Sequence, residues 1–146
     1  MKGVAAPRTT TVSPCLLVEN VQDALEFLTA VFGAQVSQSG HGAPGALWQA
    51  EVQLGDTSLK IGRAHPDDAP AASVLYVWVD DVDAAFARAL QAGAAPLRQP
   101  ADQDRRLREA GFRDPQGGTW WIGARLPRPS NAEVERRIAQ QRRARL

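Results

Sequence analysis

The stretch Val18-Glu19-Asn20-Val21, followed by helical spacing up to Gly33-Ala34, occurs a second time as Val79-Asp80-Asp81-Val82, followed by similar spacing up to Gly93-Ala94. Residue 18 matches residue 79, which is an offset of 61 positions. Each stretch places an Asn or Asp where a helix begins and a glycine where it ends, and these are the preferred residues at those positions. The chain therefore contains two candidate strand-to-helix units.

A second pair of motifs keeps the same offset. Leu59-Lys60-Ile61-Gly62 in the first half matches Trp120-Trp121-Ile122-Gly123 in the second half, with residue 61 aligned to residue 122. Two separated landmarks that agree on one register indicate duplication of a supersecondary unit rather than chance similarity.

The pattern inside each copy predicts one helix. Asn20 is the expected N-cap of the first helix and Asp81 that of the second, and Gly33 and Gly93 follow the helix ends. The apolar residues at helical spacing are Val21, Leu25, Leu28 and Phe32 in the first copy and Val82, Ala85, Phe86, Ala89 and Leu90 in the second.

Short extended segments precede and follow each helix, so that each copy has the order βαβββ. The predicted strands are residues 11–18, 35–38, 47–54 and 58–63 in the first copy and residues 73–79, 96–99, 107–114 and 119–125 in the second.

We expect an α+β fold in a single domain, residues 1–146. The expected parts are a module at 11–64, a linker at 65–71, a module at 72–126 and a C-terminal helical extension at 127–146.

Composition excludes several classes of partner. The 146 residues are 44% hydrophobic and 23% charged, which suits one globular domain with its own core. A formal net charge of +1 gives no indication of nucleic acid or of an anionic membrane as a partner. The lone Cys15 excludes an intrachain disulfide, and the sequence has neither a membrane-spanning apolar run nor a signal-peptide pattern. We expect a soluble, cytoplasmic protein.

The extension at 127–146 differs from both copies. Pro127 and Pro129 end the last strand, and Ser130-Asn131-Ala132-Glu133 has the spacing of a capping box, which predicts a C-terminal helix. Five arginines lie between residues 136 and 145, and the apolar stripe is thin. We interpret it as a solvated helix that packs on the body or on a partner subunit. A nucleic-acid or anionic-surface contact is the alternative.

The motifs resemble those of a known family. They are Val-Glu-Asn-Val with Phe-Gly-Ala, Val-Asp-Asp-Val-Asp-Ala-Ala with Ala-Gly-Ala, and Phe112-Arg113-Asp114-Pro115-Gln116-Gly117-Gly118-Thr119-Trp120-Trp121. In this order, residues 11–126 resemble the vicinal oxygen chelate superfamily, which includes glyoxalase I, extradiol dioxygenases and the fosfomycin- and bleomycin-resistance proteins. The tail is similar to the extra C-terminal helix of a glyoxalase-like subgroup. The resemblance implies two βαβββ modules that form a curled, cleft-lining mixed sheet with helices on its outer face, in a homodimer.

In the metal-dependent members of that family, His, Glu or Gln side chains on the first and last strands of each module hold a divalent ion. The motifs place Ser13, Lys60, Val74 and Trp121 at these positions. None of the four supplies an imidazole or carboxylate donor, and a lysine ammonium repels a cation. We therefore predict no metal and no other cofactor.

Other metal-ligating residue types are present, but their sequence context favours ordinary roles. His41 and His65 lie in glycine- and proline-rich loop sequence, where solvent exposure is expected. Glu51 and Glu109 are interpreted as surface charges on strands.

Strand alternation predicts what lines the cleft instead. If Leu75 and Val77 face the helices, then Val74, Tyr76 and Trp78 face the cleft. The same alternation adds Trp121 from the last strand, and the matching strands of the first module contribute small polar groups and one lysine. The predicted ligand-binding residues are Ser13, Cys15, Lys60, Tyr76, Trp78 and Trp121.

The roles of five further residues are structural or stay open. Burial against a second subunit is an equal alternative to ligand contact for Trp78 and Trp121. Trp48 shares the strand parity of Ala50 and Val52, which predicts core packing. Arg108 is expected to hold the Asp-Pro turn or a neighbouring carboxylate, and Asp114 is expected to stabilise the turn itself.

These observations favour a metal-independent, homodimeric protein that binds a small, partly aromatic, neutral or anionic molecule in its cleft. The alternative is an enzyme, a lyase, isomerase or dioxygenase, that uses a non-standard metal site or metal-free acid–base catalysis by Lys60 or Tyr76. The sequence assigns no catalytic residue. A partner-binding module that uses the basic C-terminal helix is a third hypothesis.

Overall fold

The computed structural model describes residues 11–41, 47–65, 67, 73–104 and 106–145. It confirms the α+β fold and the repeated βαβββ unit. The elements in chain order are β1 (Cys15–Val18), α1 (Val21–Phe32), β2 (Gln35–His41), β3 (Leu47–Leu54), β4 (Thr57–Arg63), β5 (Val74–Trp78), α2 (Val82–Gln91), β6 (Ala95–Gln103), β7 (Leu107–Arg113), β8 (Thr119–Arg125) and α3 (Asn131–Ala144). Within these ranges, no helix is both long and apolar enough to cross a membrane.

The two units form two four-stranded mixed sheets of the same order. The first sheet runs β1-β4-β3-β2 and the second runs β5-β8-β7-β6. In each sheet the first strand of the unit is parallel to its last strand, and the other neighbours are antiparallel. Cys15 pairs with Lys60 in the first sheet, and Tyr76 pairs with Trp121 in the second. The offset seen in the sequence is therefore also the offset between the two parallel strand pairs.

Local side chains explain where the first two helices begin. The Asn20 side chain accepts a hydrogen bond from the Asp23 backbone N–H at 3.0 Å, and the Asp81 side chain accepts one from the Ala84 N–H at 3.0 Å. At the end of α1, Gly33 adopts the left-handed conformation with φ 65°. Both predicted N-caps and the predicted glycine stop are confirmed.

One hydrophobic core joins the two units. Each of α1 and α2 packs against one side of its own sheet, which we call the helix face, and the other side of each sheet is its open face. The rings of Phe32 and Trp120 lie 5.4 Å apart, and those of Phe27 and Phe112 lie 6.1 Å apart. Because these pairs join α1 to the second sheet, burial in one unit depends on the other.

Polar contacts also join the units. The Arg88 Nε donates a hydrogen bond to the Val31 carbonyl at 3.0 Å. The Gln116 side chain accepts from the Asn20 backbone N–H and donates to its carbonyl, both at 2.9 Å.

Three strands differ from their predicted bounds by more than one residue at one end. β1 begins at Cys15 rather than at residue 11, because Pro14 has no N–H with which to continue the ladder. β2 and β6 extend to His41 and Gln103, beyond the predicted ends at 38 and 99. The predicted linker at 65–71 lies largely outside the described residues.

The assignment of Trp48 to the core is wrong. The pairing passes from Gly40↔Gln49 to His41↔Leu47, so Trp48 is an extra residue at an irregularity in the ladder. The bulge breaks the alternation, with the result that Leu47 packs against the core while Trp48 remains 48% exposed. Sequence parity alone contained no indication of this bulge.

The C-terminal helix α3 begins where the sequence predicts. The Ser130 hydroxyl accepts a hydrogen bond from the Glu133 backbone N–H at 3.2 Å. One turn further on, Arg137 pairs with the Glu133 carboxylate at 2.8 Å. None of the residues of α3 is buried, and its apolar pair Val134 and Ile138 is exposed.

Candidate functional site

The open face of the second sheet carries an exposed aromatic cluster, as the alternation predicts. Tyr76 and Trp78 on β5 are 42% and 55% exposed, whereas Leu75 and Val77 between and beside them pack against the core. The Tyr76 and Trp78 rings lie 5.1 Å apart at an interplanar angle of 55°. Trp121 is half-buried on the neighbouring strand, in register with Tyr76. We call Tyr76, Trp78 and Trp121 the aromatic wall.

Two glycines make room for the aromatic wall. A Cβ on Gly123 would overlap the Tyr76 ring and hydroxyl, and a Cβ on Gly111 would overlap the Trp121 ring. The Tyr76 side chain thus crosses β8 at Gly123, and the Trp121 side chain crosses β7 at Gly111. Any other residue at these two positions would displace a ring from the sheet surface.

Two arginines, which sequence reasoning did not identify, lie over the wall. The Arg125 guanidinium is 4.9 Å from the Trp78 ring centroid, and the Arg98 guanidinium is 5.1 Å from that of Trp121. Arg125 continues the alternation of Trp121 along β8 and was predictable from it. Arg98 follows an irregularity at residue 97 in β6, and no sequence pattern places it.

Glu109 completes this face. It pairs with Gly123 in the β7–β8 ladder, the glycine that Tyr76 crosses. Partial burial raises the pKa of the Tyr76 phenol, and the nearby Glu109 carboxylate raises it further, while Arg125 opposes the shift. The phenol is therefore protonated at neutral pH.

The open face of the first sheet is polar. Cys15 and Lys60 are exposed and adjacent, and they line a shallow pocket of about 260 Å³ whose lining residues all belong to the first unit. Glu51, also in this pocket, is half-buried and accepts a hydrogen bond from the Ser58 hydroxyl at 2.6 Å. Ser13 is half-buried but precedes β1, so it does not lie on the predicted strand.

The predicted site residues therefore form two groups. Tyr76, Trp78 and Trp121 lie together on the second sheet, and Cys15 and Lys60 lie together on the first. The two sheets share a core through their helix faces, and the pocket on the first open face includes no residue of the second unit.

The donor set does not fit the divalent metal of the resembling family. The four corresponding positions hold Ser13, Lys60, Val74 and Trp121, which lack imidazole and carboxylate groups. Among the described residues, no three His, Cys, Asp or Glu side chains converge as a metal site would require.

The two histidines add no donor to this group. His65 is exposed and lies 3.5 Å from Asp67 in the connection between the units. The side chain of His41 is outside the described part of the structure.

Arg108 and Asp114 have structural roles, as expected. Arg108 binds both carboxylate oxygens of Asp83 at 2.7 and 2.9 Å and one oxygen of Asp102 at 2.9 Å, which lowers the pKa of Asp83. It thereby ties the start of α2 to β6 and β7.

Asp114 stabilises the turn between β7 and β8. Its carboxylate accepts from the backbone N–H groups of Gln116 at 2.8 Å and Gly118 at 3.1 Å. It also accepts from the indole N–H of Trp120 at 2.7 Å. The carboxylate therefore accepts three hydrogen bonds from within the fold, and its role is to stabilise the turn.

Two βαβββ units with an open face on each sheet define the class of duplicated βαβββ proteins. The family model described as the Glyoxalase/Bleomycin resistance protein/Dioxygenase superfamily matches residues 9–122, and the chain belongs to that superfamily. The resemblance drawn from the motifs is thereby confirmed. No curated protein sequence matches the chain.

Solved structures share the fold. TioX from Micromonospora sp. ML1 is 24% identical with a TM-score of 0.69, over 80% of this chain and 99% of that chain. A gene product from Arabidopsis thaliana is 26% identical with a TM-score of 0.62, over 79% and 98%. A glyoxalase/bleomycin resistance protein/dioxygenase family enzyme from Burkholderia phytofirmans PsJN is 18% identical with a TM-score of 0.64, over 77% and 95%.

Proposed function

We propose that this protein is a metal-independent member of its superfamily that binds a small, partly aromatic, neutral or anionic molecule in a cleft between two copies of the chain. The observation that carries the proposal is the aromatic wall on the open face of the second sheet. Tyr76 and Trp78 expose about half of their surface although each borders a well-packed core. A contiguous exposed aromatic surface of this kind is typical of a binding site.

The glycines beneath the wall support a role in binding. Gly111 and Gly123 let Trp121 and Tyr76 lie along the sheet, so that the rings present faces and edges to solvent at fixed positions. Rings held in this way lose little conformational entropy when a planar ligand stacks on them. Offset or tilted stacking then contributes about 0.5–1.5 kcal/mol per ring pair beyond the buried area.

The arrangement of the sheets supports a second copy as the other side of the cleft. Within one chain, α1 and α2 occupy the helix faces, and Tyr76 and Trp78 of the aromatic wall remain 42% and 55% exposed. The polar pocket with Cys15 and Lys60 lies on the other sheet and is lined by the first unit alone. A homodimer in which the first sheet of one copy faces the second sheet of the other would place this polar surface opposite the aromatic one.

The donor chemistry supports metal independence. Lys60 and Trp121 stand where the family places ligands, and Glu51 is already hydrogen bonded to Ser58. Elemental analysis of protein purified without chelators is the direct measurement. Stoichiometric zinc, nickel, manganese or iron would contradict this part of the proposal.

The binding experiment uses calorimetric titration with two planar probes, naphthalenemethanol and naphthoate. Trp121→Ala is expected to weaken binding of both by roughly tenfold, which corresponds to a loss of about 1.4 kcal/mol. Trp48→Ala is the matched control, because Trp48 is also an accessible tryptophan near an arginine, with the Arg63 guanidinium 5.9 Å from its ring centroid, and it is outside the wall. It should change neither affinity.

The same variants separate ligand contact from subunit contact. If Trp78 and Trp121 are instead buried by a second copy, neither probe will bind, and Trp121→Ala will shift the dimer toward monomer in analytical ultracentrifugation. That pair of results would overturn the proposal.

Tyr76 and Glu109 favour one form of the enzymatic alternative. The Tyr76 phenol is protonated at neutral pH, so it can donate a hydrogen bond or a proton to a bound substrate but cannot act as a base. Turnover of a substrate by metal-free protein, lost in Tyr76→Phe with probe binding retained, would favour this enzyme over a pure binding protein.

A further inference from the structure

Arg98 and Arg125 differ from Arg108 and Arg137 in what they contact. Arg108 and Arg137 form salt bridges with carboxylates. Among the described residues, Arg98 and Arg125 form none, and each instead lies over a tryptophan ring of the aromatic wall, at 5.1 and 4.9 Å. Their positive charges are thus uncompensated by an ion pair at the place where the proposed ligand would bind.

The open face of the second sheet is positively charged as a whole. Strand register places Arg98, Arg113 and Arg125 on it. Among the described residues of β5 to β8, the register gives this face one carboxylate, Glu109, and that group interacts with the Tyr76 phenol. A negative ligand group therefore meets an excess of positive charge.

The stacked geometry also prepares the two guanidinium groups for an anion. A guanidinium has five N–H donors in one plane, and a contact with a ring through its cationic centre leaves donors for a carboxylate. Stacking restricts the long arginine side chain before the ligand arrives, so less entropy is lost on binding. Hydrogen bonds to an ionised partner are about twice as strong as neutral ones.

We propose that the ligand is a planar aromatic anion, a carboxylate or a phenolate, whose ring packs on the exposed surface of the aromatic wall and whose charge is bound by Arg98 and Arg125. This inference rests on the proposed binding function and goes beyond it in two ways. It assigns an anionic rather than a neutral ligand as the preferred class, and it assigns Arg98 and Arg125 as the residues that select for the negative charge. Lys60, the only cation expected in the cleft from the sequence, is on the other sheet, so within one chain the cations that contact the wall are Arg98 and Arg125.

The test compares three probes that share one ring system: naphthoate, naphthalenemethanol and naphthylmethylammonium. With the full chain, naphthoate is expected to bind at least tenfold more tightly than the alcohol, since hydrogen bonds to a charged group are stronger than neutral ones. The ammonium probe should bind most weakly. Raising the salt from about 50 mM to about 500 mM should weaken only naphthoate, because the face is open to solvent.

Variants identify the selecting residues. Arg98→Gln and Arg125→Gln should each weaken naphthoate by roughly tenfold and change the alcohol by less than about twofold. Arg63→Gln is the matched control, because Arg63 also lies over a tryptophan, Trp48, but outside the wall. It should leave all three affinities unchanged.

The outcomes distinguish the two proposals. Equal affinity of the native chain for naphthoate and the alcohol would overturn the anion assignment and leave the binding function intact. Failure of all three probes to bind would count against the binding function itself. Because the comparison of probes needs only the native chain, a variant that does not fold leaves the test decisive.

Discussion

The open faces of the two sheets have the same backbone and different chemistry. Cys15 beside Lys60 in the first sheet occupies the register positions of Tyr76 beside Trp121 in the second. The helix faces have diverged less, since Ile61 and Ile122 are both buried at the matching position. Duplication therefore preserved the side that folds each unit and left the other side free to acquire different functions.

The strands next to the two surfaces show which residues the difference between the open faces depends on. Glu51 pairs with Lys60 in the first sheet, whereas Gly111 pairs with Trp121 in the second. A large ring on β8 is compatible only with a glycine on β7, because a Cβ at Gly111 would overlap it. The aromatic wall thus depends on a ring on β8 together with a glycine on β7, and the first sheet has neither at the matching positions.

The largest expected effect comes from the shared core on which both open faces depend. Phe112→Ala removes a fully buried ring that contacts Phe27 and Phe32 across the two units, and should lower the free energy of unfolding by about 3–5 kcal/mol. Chemical denaturation measures this loss. Trp48→Ala, the exposed control, should cost under about 1 kcal/mol, and an equal loss in both would contradict the assignment of Phe112 to a core shared by the units.

A smaller effect compares the two repeat-related glycines directly. Gly123→Ala forces the Tyr76 ring away and should lower the free energy of unfolding by about 1–3 kcal/mol. In Gly62→Ala, at the matching position, the new methyl meets only Leu17 at 3.5 Å, an ordinary contact, and the change should be within about 0.5 kcal/mol. Equal losses would show that the two faces do not differ in how they use this position.

The smallest effect is a shift in titration on the second face. Tyr76 is the chain's one tyrosine, so tyrosinate absorbance reports it alone. The folded protein should titrate above the ordinary tyrosine pKa of 10.0, and Glu109→Gln should lower that midpoint toward the ordinary value. Denatured protein serves as the reference.

The raised pKa of Tyr76 has a defined sign for stability. Below about pH 10 the phenol is protonated in both the folded and the unfolded states, and it contributes no pH dependence. Above that pH the unfolded chain ionises first, so the folded state loses stability as the pH rises toward its own higher midpoint. A folded midpoint below 10.0 would contradict the burial and the Glu109 contact.

The sequence predicts those parts of the molecule that depend on local chemistry. Asn20, Asp81 and Ser130 are helix caps because their side chains bond to backbone N–H groups three residues away. The aromatic wall followed from simple alternation along β5 and β8.

What the sequence did not predict depends on pairing between strands. Trp48 was assigned to the core because its bulge is visible only when β2 and β3 are aligned. The contact of Arg98 with Trp121 requires that Arg98, Gly111 and Trp121 share one row across three strands. Single-strand periodicity contains no information on either register.

The irregular pairing of β6 has a consequence for how this protein meets other chains. β6 is the outer strand of the second sheet, and its ladder is interrupted between Pro96 and Arg98 and again between Arg98 and Ala101. Pro96 and Pro100 lack the N–H groups that an added strand would require. This edge of the second sheet therefore opposes the strand-to-strand addition that leads to fibrils.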